Sequence, residues 1–588
     1  MGFEQQLKKI INNYKLERHD LLKPRIAKYI LGLVEEQLDG TDKNLVVRGV
    51  PAYAMEEVYR LLSQKAHVVA FLNQQSEKKT ITIDGTIIPI IPPDKTPELK
   101  FDGYLIFSYN YASVILQEVI ESNVCHLQIP IINLYDDMNL KYGFYCNKSY
   151  FEYTDEIDYS HQAMTEAMIQ LEQAQDNVEK ETCFWELLSV CLAHRDFHMF
   201  FKFINENEVP GIEEELENLT QEIQTLLSDI RETISRRKYK YKDIIIHWID
   251  QVPYNELELL PKLKSKISKE WMFNNAFTVT PYTTPTINTI FWKELRGITY
   301  EDTKYVERNW KESPLGVYLT KLGYYMEDIG GMEKRVKTGE KYCKDHIEYS
   351  ICATACYWES LVQLTCINQP LFMIVHTMCE THDPYLSPGL QQITPVYSFN
   401  NTYDNVYEQL KISYGYLDDE VEFYSDIIGK DNISIYMSDH GKWEDTSLRR
   451  FYEKANHTFL AVTNIGIHTF EKKIFSYFQF QELIQYLIER TNETYIAMWK
   501  GCAFLCDTAI YGVDIKYRLE QQGLSNSELF QSYSGIRDDN GKYILMQDGC
   551  EHYFVMSNDG QDEIDNPKWQ EDICKLKNKY IEFRKEVK

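Results

Sequence analysis

The sequence predicts an α/β protein with two sheet-based domains joined by helices, and three observations carry that prediction. Strand-like and helix-like segments alternate at short spacing over residues 41–150. After a helical stretch, the apolar run in KDIIIHWIDQV opens a second α/β region. Within that region three separate apolar strands end in acids or histidines, at Asp250, at His376 and at Asp439–His440. The carboxyl ends of open parallel strands are where such sheets bind ligands.

Composition narrows the function. A chain of 588 residues is several times the usual domain length, so two or three sizeable cores are expected. The hydrophobic share of 44% and charged share of 26% are those of an ordinary globular protein. A formal charge of −27 repels phosphate backbones and anionic lipid, which excludes nucleic acid and membrane surfaces as partners but leaves room for a local pocket taking an anionic substrate. MGFEQQLKKIINNYKLERHD has charge and amphipathic spacing where a signal peptide needs an apolar core, and no segment reaches membrane-spanning length, so a cytoplasmic protein is expected. The thirteen cysteines fit a reducing compartment, and CATAC and CAFLC read as buried helix faces rather than metal clips.

Taken in order, residues 1–40 read as amphipathic helices, with Ile10, Ile11, Ile26, Ile30 and Leu33 on one side. In 41–150 the strands NLVVRGV, HVVAFLN, FDGYLIFS and IPIINLY alternate with the helices PAYAMEEVYRLLSQ and ASVILQEVIES. This pattern resembles the degenerate Rossmann-like domains of sugar-modifying enzymes. It lacks their dinucleotide fingerprint: GVPAYA offers only Gly49, with Pro51 and Ala54 in the other glycine places, and the second strand ends on Asn73 instead of an acid. NAD is therefore excluded; a recognition or oligomerisation role, or binding of a nucleotide sugar, remains. Residues 151–240 form a helical connector whose last helix carries a heptad seam of Ile212, Leu216, Leu219, Ile223, Leu226, Ile230 and Ile234. Such a seam packs inside its own chain or pairs with a second copy as a homo-oligomer.

Residues 241–525 hold the chemistry, followed by a small subdomain over 526–588. About thirty residues after Asp250, FNNAFTVTPYTTPTINTIFW crowds hydroxyls into a turn that runs into an apolar helix. A hydroxyl there sits at a helix N-terminus, where unpaired amides favour negative charge. The plainer account is that these threonines only cap the helix. PLFMIVHTMCETHDPY then gives a strand from Leu371 to Val375, followed by His376, His382, Asp383, Pro384 and Tyr385. ISIYMSDHG closes the series.

In order, WIDQV, YTTPTI, THDPY and MSDHG resemble the motifs of the alkaline phosphatase and sulfatase superfamily, over roughly residues 240–560. The resemblance implies an alkaline phosphatase/sulfatase-like α/β sandwich with a small C-terminal antiparallel subdomain. It implies that Asp250, Gln251, Asp439 and His440 bind one divalent metal together with Thr283, which would be the nucleophile. Mixed oxygen and imidazole ligands suit Mn²⁺ or Zn²⁺ better than Ca²⁺. His382 would contact the transferring group or protonate the leaving oxygen. His457 is an additional candidate contact, with a structural role equally open.

The departures select the chemistry. Sulfatases of the family carry a cysteine or serine that is oxidised to an aldehyde, and an arginine two residues after the proline. Here those places hold Thr283 and Ile287. The extra methyl on the threonine β-carbon blocks the aldehyde. The implied reaction is phosphoester or phosphodiester hydrolysis, or phosphoryl transfer, through a phosphothreonine. Thr280 and Thr284 are the rival hydroxyls if the turn is misread by a residue or so. A sulfatase-type hydrolase and a non-catalytic glycan-binding scaffold are the competing readings.

Overall fold

The computed structural model describes residues 2–16, 22–73, 79–108, 111–122, 124, 127–137, 149–152, 161–294, 308–330, 336–337, 352–382, 385–390, 403–442, 453–507, 532–556 and 558–586. Asp383 and Pro384, and the side chain of Thr284, lie outside the described residues. The chain forms two compact units: residues 1–8, 221–382 and 414–588 make one, and residues 9–220 and 383–413 the other. The fold is α/β throughout, with an antiparallel sheet near the C-terminus.

In the second of these units, β1 (Lys43–Arg48), β2 (Ala66–Leu72), β3 (Thr80–Ile83), β4 (Thr86–Ile91), β5 (Gly103–Ile106) and β6 (Ile131–Asn133) form a sheet of order β3-β4-β2-β1-β5-β6. Only the β3/β4 pair is antiparallel. The glycine at the exit of β1 has a local cause. Gly49 adopts φ +91°, and a Cβ there would stand 2.6 Å from Ser108 Cβ. The Ala54 amide is spent on Pro51 O at 3.0 Å and the Asn73 amide on Ile91 O at 3.0 Å. Both ends of the would-be dinucleotide fingerprint are thus tied into the protein's own backbone.

The other unit is built on β7 (Ile244–Ile249), β8 (Trp271–Phe277), β10 (Tyr325–Gly330), β12 (Leu371–Thr377), β13 (Ile433–Met437), β14 (His457–Thr463), β15 (Phe470–Glu471) and β16 (Phe475–Ser476). Their order is β10-β12-β7-β13-β14-β8-β15, with β16 also on β8; the short β9 (Arg308–Asn309) and β11 (Val336–Lys337) pair separately. Strands β10, β12, β7 and β13 are parallel, β14 runs antiparallel to both β13 and β8, and β8 therefore points the same way as β7. That arithmetic of directions decides where the chemistry goes. The exits of β7, β12, β13 and β8 and the start of β14 all fall at one end of the sheet.

Every residue of β7, β12 and β13 is buried, as strands covered on both faces must be. Along β7 the faces alternate. Ile244, Ile246 and Trp248 join a core with Phe273, Phe291, Trp310, Phe372 and Leu483. Each fully buried aromatic or aliphatic chain in it contributes roughly 1.5–3 kcal/mol. On the opposite face His247 stacks on Tyr436 at 4.2 Å between ring centres, and its Nδ1 lies 3.0 Å from Tyr357 Oη. Strand β12 runs two residues further than the sequence suggests and carries His376 within it.

The C-terminal sheet β17 (Ala503–Asp507), β18 (Tyr533–Arg537), β19 (Gly541–Met546), β20 (Glu551–Val555) and β21 (Asn558–Asp562) is an antiparallel meander covered by the helix Gln570–Glu586. CAFLC therefore lies on a strand and not on a helix face, because Phe504 and Cys506 alternate into that core. The Cys506 amide donates to Val279 O at 2.7 Å, and the Arg537 guanidinium sits 3.8 Å over the Phe277 ring. The subdomain thus braces the β8 exit that leads to Thr283. The heptad seam on the helix Glu213–Ser235 is buried within the single chain, Leu219, Ile223 and Ile230 completely, so it offers no free stripe to a second copy.

His247 yields a pH-dependent expectation. Burial, and then the Lys266 charge, lowers its pKa from 6.5 to about 3. Between those values the unfolded chain binds a proton that the folded one does not, so stability is complete above about 6.5 and falls as the pH drops. The loss amounts to roughly 1.4 kcal/mol per pH unit. His247→Phe removes this term and leaves Tyr357 Oη without its partner, an offset of about 1–3 kcal/mol at all pH values. Urea unfolding between pH 8 and pH 5 should show a shallower acid loss for the variant by about one proton. Parallel curves would remove His247 as the source.

Candidate active site

Four side chains meet beyond the common end of the large sheet. The β13/β7 register pairs Met437 with Trp248, and two further residues along it Asp439 stands opposite Asp250. His440 Nε2 lies 3.6 Å from Asp250 Oδ1 and 3.5 Å from Asp439 Oδ2. Thr283 Oγ1 lies 3.4 Å from His440 Nε2 and 3.5 Å from Asp250 Oδ2. All four residues are buried.

Local backbone geometry fixes each of them. Asp439 Oδ1 accepts from the amides of His440 at 2.9 Å and Gln251 at 3.1 Å. Ser438 Oγ accepts from the Val252 amide at 2.8 Å, and Tyr477 Oη donates to Ser438 O at 2.6 Å. Gly441 follows because the Lys454 backbone passes there: a Cβ would fall 1.8 Å from Lys454 O. Thr283 is the first residue of the helix Thr283–Trp292, whose N-cap, Tyr282, makes no side-chain cap bond. Pro285 lacks an amide hydrogen that the first turn would have left unpaired. Thr280 Oγ1 turns away to Tyr282 O at 3.3 Å, and Thr286 Oγ1 donates to Asp439 O at 3.3 Å.

The donor set fits a cation. His440 Nδ1 is 2.7 Å from the Gly441 carbonyl, which can only accept, so Nδ1 carries the hydrogen and Nε2 presents its lone pair to the two carboxylates. Asp250 Oδ1 and Asp439 Oδ2 are buried without a hydrogen-bond partner, as is Gln251 Oε1. Ligand atoms of Asp250, Asp439 and His440 lie within 4.8 Å of one another. Buried acceptors facing one another are costly unless a positive charge lies between them.

The sequence named His376 as a strand end without a role. Here its Nε2 lies 3.0 Å from Asp250 Oδ2. Burial pushes the Asp250 carboxyl up, but the hydrogen bond and charge of His376 oppose it and hold the group well below the usual carboxylate range. Asp250 is therefore ionised. The β12/β7 register, which sets His376 beside Trp248, is the signal that finds this contact. His382 is half-buried after a turn in which its amide donates to Met378 O at 2.8 Å. Gln251 takes a left-handed backbone, φ 59°, which turns the chain after Asp250. His457 lies between the Tyr254 and Phe277 rings, with Nε2 donating to Asn274 O at 2.7 Å. That contact makes it a packed residue at the sheet end, outside the acid-histidine cluster.

No protein-family model and no curated protein matches the sequence. Among solved structures, the chain resembles phosphonate monoester hydrolases and sulfatases. The phosphonate monoester hydrolase of Silicibacter pomeroyi is 12% identical with a TM-score of 0.44, covering 59% of this chain and 96% of its own. A putative sulfatase from Bacteroides thetaiotaomicron is 12% identical with a TM-score of 0.43, covering 59% and 93%. A Vibrio parahaemolyticus protein in the alkaline phosphatase superfamily is 13% identical with a TM-score of 0.36, covering 57% and 88%.

Proposed function

We propose that this chain is a metal-dependent phosphoester or phosphodiester hydrolase, or a phosphotransferase, that works through Thr283. The observation that carries the reading is the convergence of Thr283 Oγ1, Asp250, Asp439 and His440 at one end of the sheet, with the hydroxyl at a helix N-terminus. Asp250, Asp439 and His440 would hold one divalent ion, Mn²⁺ or Zn²⁺, with Thr283 and Gln251 as further ligands; such an ion supplies positive charge that favours the alkoxide and neutralises phosphoryl oxygens.

The residues divide the work. Thr283 Oγ, as the alkoxide whose proton has passed to solvent, forms a bond to phosphorus as the ester oxygen leaves, and His382 gives that oxygen its proton. Amides of the first helical turn face the negative charge on the phosphoryl group. His382, now the base, takes a proton from water or an acceptor hydroxyl, whose oxygen displaces Thr283 from phosphorus. His376 keeps Asp250 ionised and oriented throughout. The substrate class is an anionic small-molecule or glycan ester, in the cytoplasm. Among the described residues no helix is long and apolar enough to cross a membrane.

The test compares chromogenic phosphodiesters with aryl sulfates, using protein dialysed against chelator and then given Mn²⁺ or Zn²⁺. Turnover of the phosphodiester that depends on added metal is expected. Turnover of the aryl sulfate alone would overturn the phosphoryl reading.

A further inference from the structure

A second group of metal-type donors shares no residue with the Asp250 cluster. Cys352, Cys379 and Glu380 present ligand atoms that all lie within 4.8 Å of one another. Cys352 and Glu380 are buried, and Cys379 is half-buried. Ligands of one tetrahedral zinc ion stand roughly 3.5–4 Å apart, given Zn–S bonds near 2.3 Å and Zn–O bonds near 2.1 Å. Small side-chain rotations would therefore close the three donors on one ion.

Two features of the local fold place them. Cys352 is the N-cap of the helix Ala353–Cys366, and Glu380 Oε1 accepts from the Ala353 amide at 3.0 Å, so the carboxylate is held against the start of that helix. The chain after β12 turns tightly, with the Thr381 and His382 amides both donating to Met378 O at 3.2 and 2.8 Å. That turn brings Cys379 and Glu380 to the helix and ends on His382. The other cysteine of the CATAC run is engaged elsewhere. Cys356 Sγ lies 3.6 Å from His376 O, and burial, then the neighbouring Cys352 and Glu380, keep it a thiol. The cysteine that meets Cys352 in this group is Cys379.

We propose that Cys352, Cys379 and Glu380 bind a thiolate-preferring divalent cation of the zinc type, which clamps the turn after β12 to the start of the helix Ala353–Cys366. Two thiolates and a carboxylate bring three negative charges, enough to outweigh a divalent charge in a buried place, and sulfur selects zinc or cobalt over magnesium or calcium. The fourth ligand is water or another side chain. By closing the chain between residues 352 and 379, the ion would fix the turn on which His382 stands.

Cobalt distinguishes this site from the oxygen and imidazole site, because only sulfur ligands give a thiolate-to-cobalt charge-transfer band in the near ultraviolet. The full chain, stripped by chelator under reductant and titrated with Co²⁺, is expected to develop that band and to bind two equivalents. Asp439→Asn should lose one equivalent and keep the band, whereas the Cys352→Ser, Cys379→Ser double variant should lose the band and keep the other equivalent. Glu380→Gln, which leaves both sulfurs, should weaken the band-forming binding at least tenfold and serves if the double variant does not fold. Absence of the band from the wild-type chain, its persistence in the double variant, or a Cys352–Cys379 disulfide in the intact mass of protein isolated without reductant would overturn the proposal.

Discussion

Thr283→Ala is expected to lose about 10⁴-fold or more in kcat while KM for a phosphodiester stays within a few-fold of wild type. The argument is one of position. Thr283 Oγ1 lies 3.4 Å from His440 Nε2 and 3.5 Å from Asp250 Oδ2, at the outer edge of hydrogen bonding, so it is held beside the charged groups without being bound tightly to either. Removing a group that acts only in the chemical step lowers kcat and kcat/KM together. Thr283→Ser keeps the hydroxyl and should retain far more activity than the alanine variant. Thr280→Ala should retain most of it, since its Oγ1 faces the Tyr282 carbonyl at 3.3 Å. Acid quench during turnover followed by peptide mapping should find the phosphoryl group on Thr283. A phosphoryl group on Thr280 or Thr284, or a fully active Thr283→Ala, would move the nucleophile elsewhere.

The sequence made the large sheet legible because its central strands are buried on both faces and so read as mainly apolar runs: IIIHWI, LFMIVHT and ISIYM are β7, β12 and β13. Their polar ends stood out against those runs, which is how Asp250 and Asp439–His440 could be named. What the runs do not encode is pairing. The neighbour relation that brings His376 to Asp250 lives in the sheet register, and the one that brings Cys379 to Cys352 lives in a turn packed on a helix. The β3/β4 hairpin is not among the strands read from the sequence, although its signal is present. Asp84 and Gly85 both take positive φ, 49° and 81°, as the Asp-Gly turn of a two-residue hairpin requires. CAFLC reads as a helix face yet forms a strand because alternation of small and large apolar residues over five positions does not separate strand from helix.

Asp439→Asn should abolish metal binding at the Asp250 cluster and yet raise the stability of the chelator-treated protein. The native Asp439 Oδ1 is fully used, accepting from the His440 and Gln251 amides at 2.9 and 3.1 Å, and an asparagine oxygen can keep both bonds. The change falls on the other atom. Asp439 Oδ2 is buried without a hydrogen-bond partner, 3.5 Å from the His440 Nε2 lone pair, with the ionised Asp250 across the cluster. Replacing that oxygen with an NH₂ group removes a negative charge and puts a donor opposite the His440 Nε2 lone pair. A gain of about 1–2 kcal/mol is expected without metal. With metal the order reverses. An ion that binds only the folded wild type stabilises it by RT ln(1 + [L]/Kd), about 4 kcal/mol at a thousandfold excess over Kd. The variant gains nothing from this site. Thermal unfolding of both proteins, with chelator and with saturating Mn²⁺, should therefore give curves that cross in order. A variant that keeps its full metal content, or that is less stable than wild type in chelator, would show that the three facing acceptors are not what holds the ion.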